Sequence, residues 1–390
     1  MDVPDPAAAP RVRWTEDGVE RDAAWRSERG APPPARLVVV DDALRADDAY
    51  GLAGQGVALL WRGDYHNARQ MLNALAHRVD RPRRPGRATA PAAPIDAFNR
   101  ERQARSQRAR TLGMLLVPLE ADHSIPLRRA PDLRVACTEA WGPGREASLV
   151  SLRELLGVVG AHEWRVRGIP LAALGGARIH PWYGVFAPTR AEYVDLVARA
   201  PLPAASTAGG VAFDVGTGTG VLAAVLARRG VARVTATDAS PRALACAREN
   251  VERLGLAARV DVVGVPEDDP FPAGRAALVV CNPPWLPARP ASPLEHAVYD
   301  PDGRMLRTVL RGLAPRLAPG GEGWLVMSDL AERLGLRAAG DLAAAFADAG
   351  LVVLGRLDAR AAHPKAGDRA DPLHAARAGE TITLWRLGAA

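Results

Sequence analysis

The chain has 390 residues, 48% of them hydrophobic, with a formal net charge of +6 and a pI of about 9.8. That length implies two or three domains at about 100–200 residues each, and the apolar share supports a sizeable core. No apolar run reaches the length of about 18 residues that a spanning helix needs, the first residues lack the basic and apolar regions of a secretory signal, and the positive charge raises nucleic acid as a partner.

Residues 1–35 carry Pro, Ala and scattered charge and end in Ala31-Pro-Pro-Pro34, which reads as a flexible tail with Trp14 and Trp25 free to dock. Leu37–Val40 and Val57–Trp61 read as strands. Arg62-Gly-Asp64 then makes a turn, with Asp64 as N-cap of a helix whose apolar positions are Ala68, Met71, Leu72, Leu75 and Val79. Here Trp61, Asp64, Asn67 and Arg69 read as a helix cap with a core-packing tryptophan in preference to substrate contacts. Residues 81–110 hold nine arginines against Asp96 and Glu101, a net +7 that leaves −1 for the other 360 residues. The first half of this segment is Pro/Gly/Ala-rich and expected to be disordered; the second half has the composition of an exposed helix. Leu112–Leu119 reads as a strand and Leu149–Val159 as a helix. Residues 36–177 are therefore expected to form a smaller α+β N-terminal domain for substrate recognition, with the disordered Arg-rich insert 81–110 as an excursion from it.

From 178 to 390 strand and helix alternate. The expected strands are Val211–Val215, Arg233–Thr237, Val260–Val265, Ala277–Cys281, Glu322–Met327, Leu351–Leu357 and Thr381–Leu387. Helical stretches at Val221–Arg229, Pro241–Leu254, Arg304–Leu317 and Leu342–Ala349 separate most of them. Repeated units of this kind imply an α/β fold: a Rossmann-like, seven-stranded, mostly parallel sheet with helices on both faces. The link Asp358–Gly379 shows no clear crossover helix, so the last strand is expected to be antiparallel.

Asp214-Val-Gly-Thr-Gly-Thr-Gly220 follows the first of these strands and opens a helix. Gly216, Gly218 and Gly220 permit a tight turn and close approach to a ligand, and the helix N-terminus favours negative or polar ligand groups. Asp238 ends the next strand, where a carboxylate can take both hydroxyls of a ribose. The GxGxG spacing differs from the GxGxxG of nicotinamide enzymes and argues against hydride transfer. Val279-Val-Cys-Asn-Pro-Pro-Trp285 closes the fourth strand. A planar NH₂ group is a poor nucleophile because its lone pair is delocalised. Asn282 can accept one N–H, a proline carbonyl, that of Pro283, the other, and Trp285 can stack on the planar group. Pro283 and Pro284 stiffen the turn and remove competing donors. Such catalysis is mostly orientation and acceptor electrostatics, with no strong base required in advance.

Asp214–Gly220 followed by Thr235-Ala-Thr-Asp-Ala-Ser240 resembles the first two motifs of class I S-adenosylmethionine-dependent methyltransferases, over about residues 165–390. The resemblance implies S-adenosyl-L-methionine as cofactor, with Asp214 and the loop Gly216, Thr217, Gly218 and Gly220 at its methionine end and Asp238 on the ribose. Asp269, or its neighbour Asp268, is a candidate near the adenine. The Asn-Pro-Pro-Trp motif resembles enzymes that methylate adenine N6, guanine N2 or glutamine N5. Pro181–Glu192, with Pro188 and Glu192, is similar to the segment covering the cofactor in release-factor glutamine methyltransferases, while its Gly184-Val-Phe186 equally resembles ribosomal RNA guanine-N2 methyltransferases. Tyr299–Arg304 and Ala318-Pro-Gly-Gly321 also look like the glutamine enzymes. Trp285 stands where those enzymes usually carry Tyr, and Ala277 where an Asp often begins the strand.

These features imply an N-methyltransferase acting on a macromolecular acceptor in translation, a protein glutamine or a nucleic-acid base, with RNA or ribosome contact through 81–110 and no membrane. A non-catalytic cofactor-binding module on RNA or protein, and a small-molecule methyltransferase, are the alternatives. Cys137, Cys246 and Cys281 form no CxxC pair and fit a reducing cytoplasm. The eight histidines show no metal-ligand spacing, so no metal is expected. Arg360–Arg377, including His363, Lys365, Arg369 and His374, reads as a solvated loop in preference to an anion-binding one. Arginine supplies 49 of the 50 basic side chains, so its abundance alone is weak support for phosphate binding.

Overall fold

The computed structural model describes residues 10–81, 93–290, 293–362 and 364–390. The chain divides into two units, Met1–Ala92 with Asn99–Glu163, and Ala93–Phe98 with Trp164–Ala390. The division falls after Glu163, fourteen residues before the expected boundary at 177.

The first unit is built on a six-stranded sheet of β1 (Arg11–Glu16), β2 (Val19–Arg26), β3 (Arg36–Val40), β4 (Val57–Trp61), β5 (Leu115–Leu119) and β6 (Ser148–Ser151), in the order β1-β2-β6-β5-β4-β3. β3, β4 and β5 run parallel, and β6 is antiparallel to β5. The expected flexible tail is corrected here. Residues 11–26 form a hairpin whose second strand pairs with β6, placing Val12 and Ala23 in a core with Ala58, Leu60, Leu116 and Leu149. An Asp17-Gly18 turn with positive φ at both residues closes it, the backbone that favours tight hairpins. Val12, Trp14 and Glu16 lie on the covered face of β1 and Arg11, Arg13 and Thr15 on the exposed one, a pattern masked in the sequence by the surrounding Pro and Ala.

Within the expected insert, the proline-rich part at 82–92 lies outside the described residues. The remainder joins the helix Pro94–Gly113, so 93–110 is ordered rather than disordered. Leu149–Val150, expected to open a helix, belong to β6, and the helix begins at Leu152. All four residues of β6 are buried between β2 and β5, and β-pairing on both sides overrides helical spacing. Asp64 caps the helix Tyr65–Val79 as expected.

In the second unit a short pair, β7 (Ile169–Pro170) and β8 (Arg178–Ile179), precedes the main sheet. That sheet comprises β9 (Val211–Val215), β10 (Arg233–Asp238), β11 (Val260–Gly264), β12 (Ala276–Cys281), β13 (Leu317–Ser328), β14 (Leu351–Arg360) and β15 (Thr381–Ala389). Their order is β11-β10-β9-β12-β13-β15-β14, and the last strand, β15, runs antiparallel to both of its neighbours. The Rossmann-like, mostly parallel sheet expected from the alternation is present. Every residue of the central β12 is buried, because both faces are covered. Leu278 and Val280 pack with Val194, Val197 and Val225 on one face; Val279 and Cys281 pack with Val309, Leu313 and Phe346 on the other. The strand order reverses between β9 and β12, which is where open α/β sheets leave a crevice for ligands.

Candidate active site

Val215 of β9 pairs with Cys281 of β12. The next residues, Gly216 and Asn282, therefore leave the sheet side by side at the carboxyl ends of adjacent parallel strands. This register brings the two motifs of the sequence together.

The glycine loop is held from beneath. Asp214 is buried, and its Oδ2 accepts hydrogen bonds from the Thr217 hydroxyl at 2.6 Å and the Ala223 backbone N–H at 2.9 Å. It thereby satisfies a backbone donor in the first turn of the helix Val221–Arg228. Burial pushes its carboxyl pKa up to about 6, against the lowering effect of those two bonds. Thr217 donates its N–H to the Thr237 carbonyl at 2.8 Å, tying the loop to β10. Gly216, Gly218 and Gly220 all have positive φ. At Gly220 a Cβ would also come within 3.3 Å of Ala247, so the glycine lets two helices approach closely. At Gly218 a Cβ would meet nothing within 4 Å, so the loop faces open space there.

Asp238 ends β10 and is half-buried. Its two oxygens accept from Gly218 N at 3.0 Å and Ser240 N at 2.9 Å, and burial raises its pKa. Each carboxylate oxygen keeps a further lone pair for a ligand hydroxyl. Positive-φ glycines, a helix N-terminus whose cap residue is Gly220 and a strand-end carboxylate suit a nucleoside with a charged tail. Asp269 stands apart: it is exposed and pairs with Arg316 at 3.4 Å, and Asp268 is exposed as well. Its partner Arg316 lies 47 residues downstream, a contact that no local pattern announces.

The Asn-Pro-Pro-Trp turn holds a bond that changes the reading of Trp285. Its indole N–H donates to the Asn282 side-chain oxygen at 3.0 Å. The Arg190 guanidinium lies over its ring, 5.1 Å from the centroid. The bond holds the Asn282 side chain, and one face of the Trp285 ring is already taken. The Asn282 oxygen has two lone pairs, so one remains for an acceptor N–H. The bond also sets which end of the carboxamide faces the indole, leaving its NH₂ on the other side.

Residues from distant parts of the chain, Glu192 and Tyr299–Arg304 of the sequence analysis among them, also build this turn. Arg190 Nη2 lies 3.1 Å from Glu380 Oε1, whose side chain is fully buried and accepts from the Ser328 hydroxyl at 2.6 Å. Glu192 accepts from the Ala362 N–H at 2.7 Å. Residues 190–192 are thus fastened to the tops of β13, β14 and β15. Asp300 caps the helix Arg304–Arg316 through Met305 N and Leu306 N, while Leu286 and Tyr299 bridge the turn to that cap. Phe98 is buried with Leu286, Tyr299 and Leu373, which explains why Ala93–Phe98 belong to this unit. Just before residues 181–192, His180 donates its N–H at 2.7 Å to the side-chain oxygen of Asn250, which is buried in the helix Pro241–Arg253. Burial raises the thiol pKa of Cys281, beside Asn282, so it stays protonated. Among the described residues no group of three or more His, Cys, Asp or Glu is placed to hold a metal ion, and no helix is long and apolar enough to cross a membrane.

Residues 177–349 match the family model of the methyltransferase small domain. A release factor glutamine methyltransferase of Cereibacter sphaeroides is 37% identical over 127 residues, 28% of this chain and 43% of the relative. A ribosomal protein L11 methyltransferase of Pelotomaculum thermopropionicum is 49% identical over 74 residues, 19% of this chain and 24% of the relative. The chain spans less than half the length of these two relatives. Among solved structures, the ribosomal protein L11 methylase of Lactobacillus delbrueckii subsp. bulgaricus superposes with a TM-score of 0.33 at 19% identity, over 50% of this chain and 75% of that one. The fold assignment rests on strand order. Residues 177–349 are similar to the methyltransferase small domain, and the relatives they match are methyltransferases.

Proposed function

We propose that the chain transfers a methyl group to a planar amide or amino nitrogen of a macromolecule that takes part in translation. The observation that carries this reading is the register that sets Asn282 beside Gly216 at the sheet's switch point. S-adenosylmethionine, when bound, supplies an electrophilic methyl group on a sulfonium sulfur. Gly216, Thr217, Gly218 and Gly220 form the cradle for its methionine end, Asp214 holds that cradle from beneath, and Asp238 takes the ribose hydroxyls. Asn282 accepts one N–H of the acceptor, and the Pro283 carbonyl accepts the other. With both hydrogens held, the nitrogen lone pair localises towards the methyl group. Pro284 keeps the turn rigid, and Trp285 keeps the Asn282 oxygen aimed. The arrangement works by orientation and by stabilising positive charge as it develops on the nitrogen.

A protein side-chain amide is the first acceptor, supported by the names of the relatives, which act on a release factor and on ribosomal protein L11. A nucleic-acid base is the second, favoured by the exposed Arg100, Arg105 and Arg110 along one helix. The first unit serves acceptor recognition, and the setting is cytoplasmic. The test is tritiated methyl transfer into extract from a strain lacking the gene, sorted into protein and RNA fractions. Label in protein supports the first acceptor and label in RNA the second; label in neither, with the cofactor bound, overturns the reading.

A further inference from the structure

The indole of Trp285 is the one hydrogen-bond partner of the Asn282 side chain among the described residues. Whatever holds the indole therefore aims the amide. The Trp285 backbone is fixed from one side: its carbonyl accepts from Arg337 Nη2 at 3.4 Å, and Arg337 pairs in turn with Glu332 at 3.3 Å. These contacts leave the ring to turn about its own side-chain bonds. The ring also packs against the apolar clusters on both faces of the main sheet, but apolar contact is non-directional. The directed contact on the ring is the Arg190 guanidinium, 5.1 Å from its centroid. Tryptophan offers a cation the best aromatic face, and a planar guanidinium stacks on it as an ammonium does not.

Arg190 keeps its place by charge. Its Nε and Nη2 are buried and make no hydrogen bond. Nη2 lies 3.1 Å from Glu380 Oε1, on a side chain with no exposure, and Nε lies 4.0 Å from Glu192 Oε1, on a side chain 12% exposed. A buried carboxylate requires a compensating cation, and Arg190 stands within ion-pair distance of both. Glu380 is fixed as well, since it accepts from the Ser328 hydroxyl at 2.6 Å. Ser328 ends β13 and pairs with Ile382 of β15, two residues beyond Glu380. β13 is the neighbour of β12, which Asn282 follows. The anchor therefore stands on the strand end next to the one that carries Asn282, and a continuous series of contacts joins Ser328, Glu380, Arg190, Trp285 and Asn282.

We propose that Arg190, anchored by Glu380, is a positioning residue for methyl transfer: by covering one face of Trp285 it fixes the indole N–H, and through it the Asn282 oxygen. The inference rests on the reading of Asn282 as the group that accepts the acceptor's N–H. It assigns the residue at 190 a role at the acceptor side of the site, and it leaves the opposite face of Trp285 as the one on which a planar acceptor group can stack.

Two readouts on the full chain test it. The first is proton–nitrogen correlation spectroscopy, with the Trp285 indole resonance identified by its loss in Trp285→Phe. Arg190→Lys keeps a charge beside Glu380 and removes the planar stack. The indole signal should shift, and its hydrogen exchange should quicken by about 2–30-fold, the range of a cation–π contact. Glu380→Gln keeps an oxygen for Ser328 and should move the same resonance, so the proposal stays testable if Arg190→Lys fails to fold. The second is the rate of tritiated methyl transfer from S-adenosylmethionine into extract from a strain lacking the gene. Arg190→Lys should slow it by about 2–30-fold, with cofactor affinity by calorimetry unchanged. Adding Arg190→Lys to Trp285→Phe should slow transfer no further than Trp285→Phe alone, because Arg190 acts through the indole N–H. An indole resonance that neither variant moves overturns the proposal. Additive losses in the double variant also overturn it, since Arg190 would then act independently of Trp285. Absence of transfer by the unaltered chain overturns the proposed function alone, and the indole resonance still decides whether Arg190 holds Trp285.

Discussion

In the first unit β4 runs through Arg62-Gly63-Asp64 into the helix Tyr65–Val79; in the second, β9 runs through Gly216–Gly220 into the helix Val221–Arg228. Both strands are parallel to their neighbours, and both helices begin at a carboxyl strand end. In the first unit the chain fills the helix N-terminus with its own acids. Asp64 accepts from His66 N at 2.9 Å, and Asp42 accepts from Asp64 N at 2.9 Å and Asn67 at 3.0 Å. In the second unit Asp214 takes one donor of the first turn, Ala223 N at 2.9 Å, from beneath, while Gly220 sits at the cap with no side-chain bond and the loop above it is glycine and threonine. A helix start attracts negative or polar groups in both places. What is left for a ligand depends on how many of those donors the chain has already satisfied.

The largest expected effect breaks the open site at its acceptor end. Asn282→Ala should lower methyl transfer by about 10²–10³-fold, as loss of one oriented polar group does, with cofactor affinity within a few-fold by calorimetry. Unchanged turnover would remove Asn282 from catalysis. Next, Gly218→Asp converts the open turn into one resembling the closed turn. Space exists for the side chain, and Asp tolerates positive φ better than most residues. The protein should fold, and S-adenosylmethionine should bind about 10–100-fold more weakly, the scale of one lost charge-assisted contact; normal affinity would show that the loop is not the cradle. The reciprocal change, Asp64→Ala, should lower the thermal midpoint by about 2–4 °C through loss of the cap while leaving cofactor affinity unaltered.

A further comparison concerns pH, in which the two units should differ in sign. Asp64, paired with Arg129 at 2.6 Å, has a folded pKa lowered to about 2 against 3.8 when free. Its stabilisation is present above pH 4 and is lost as pH falls towards 2. Asp214 has its folded pKa raised from 3.8 to about 6. The native state then holds a proton that the unfolded chain has lost, so stability declines as pH rises from about 4 to 6, by on the order of 3 kcal/mol. Asp214→Asn keeps an oxygen for Thr217 and Ala223 and should abolish that decline. Denaturant midpoints at pH 5 and pH 7 measure it, and an unchanged difference between them would contradict the assignment.

The open site was far more legible in the sequence than its surroundings. Glycines, a strand and a helix start are encoded within a few residues, so the loop, Asp238 and the Asn282 turn could be placed by local reasoning. The bond from Trp285 to Asn282 was not foreseen, because nothing local says that the indole N–H turns back onto that side chain. Arg190 and Glu380 were absent from the reading for the same reason: they are 190 residues apart and meet only because β15 inserts between β13 and β14.

The sequence by itself determined the alternation of strand and helix, the positive-φ loop and the acids at strand ends. These follow from backbone sterics and side-chain period within single elements. Tertiary structure decided the rest: that residues 11–26 complete a sheet, that Asp269 pairs with Arg316, and that Asn282 leaves its strand beside Gly216. Each of these depends on which surfaces meet across the fold, and pairing between distant segments is selected by burial and register rather than by neighbouring residues.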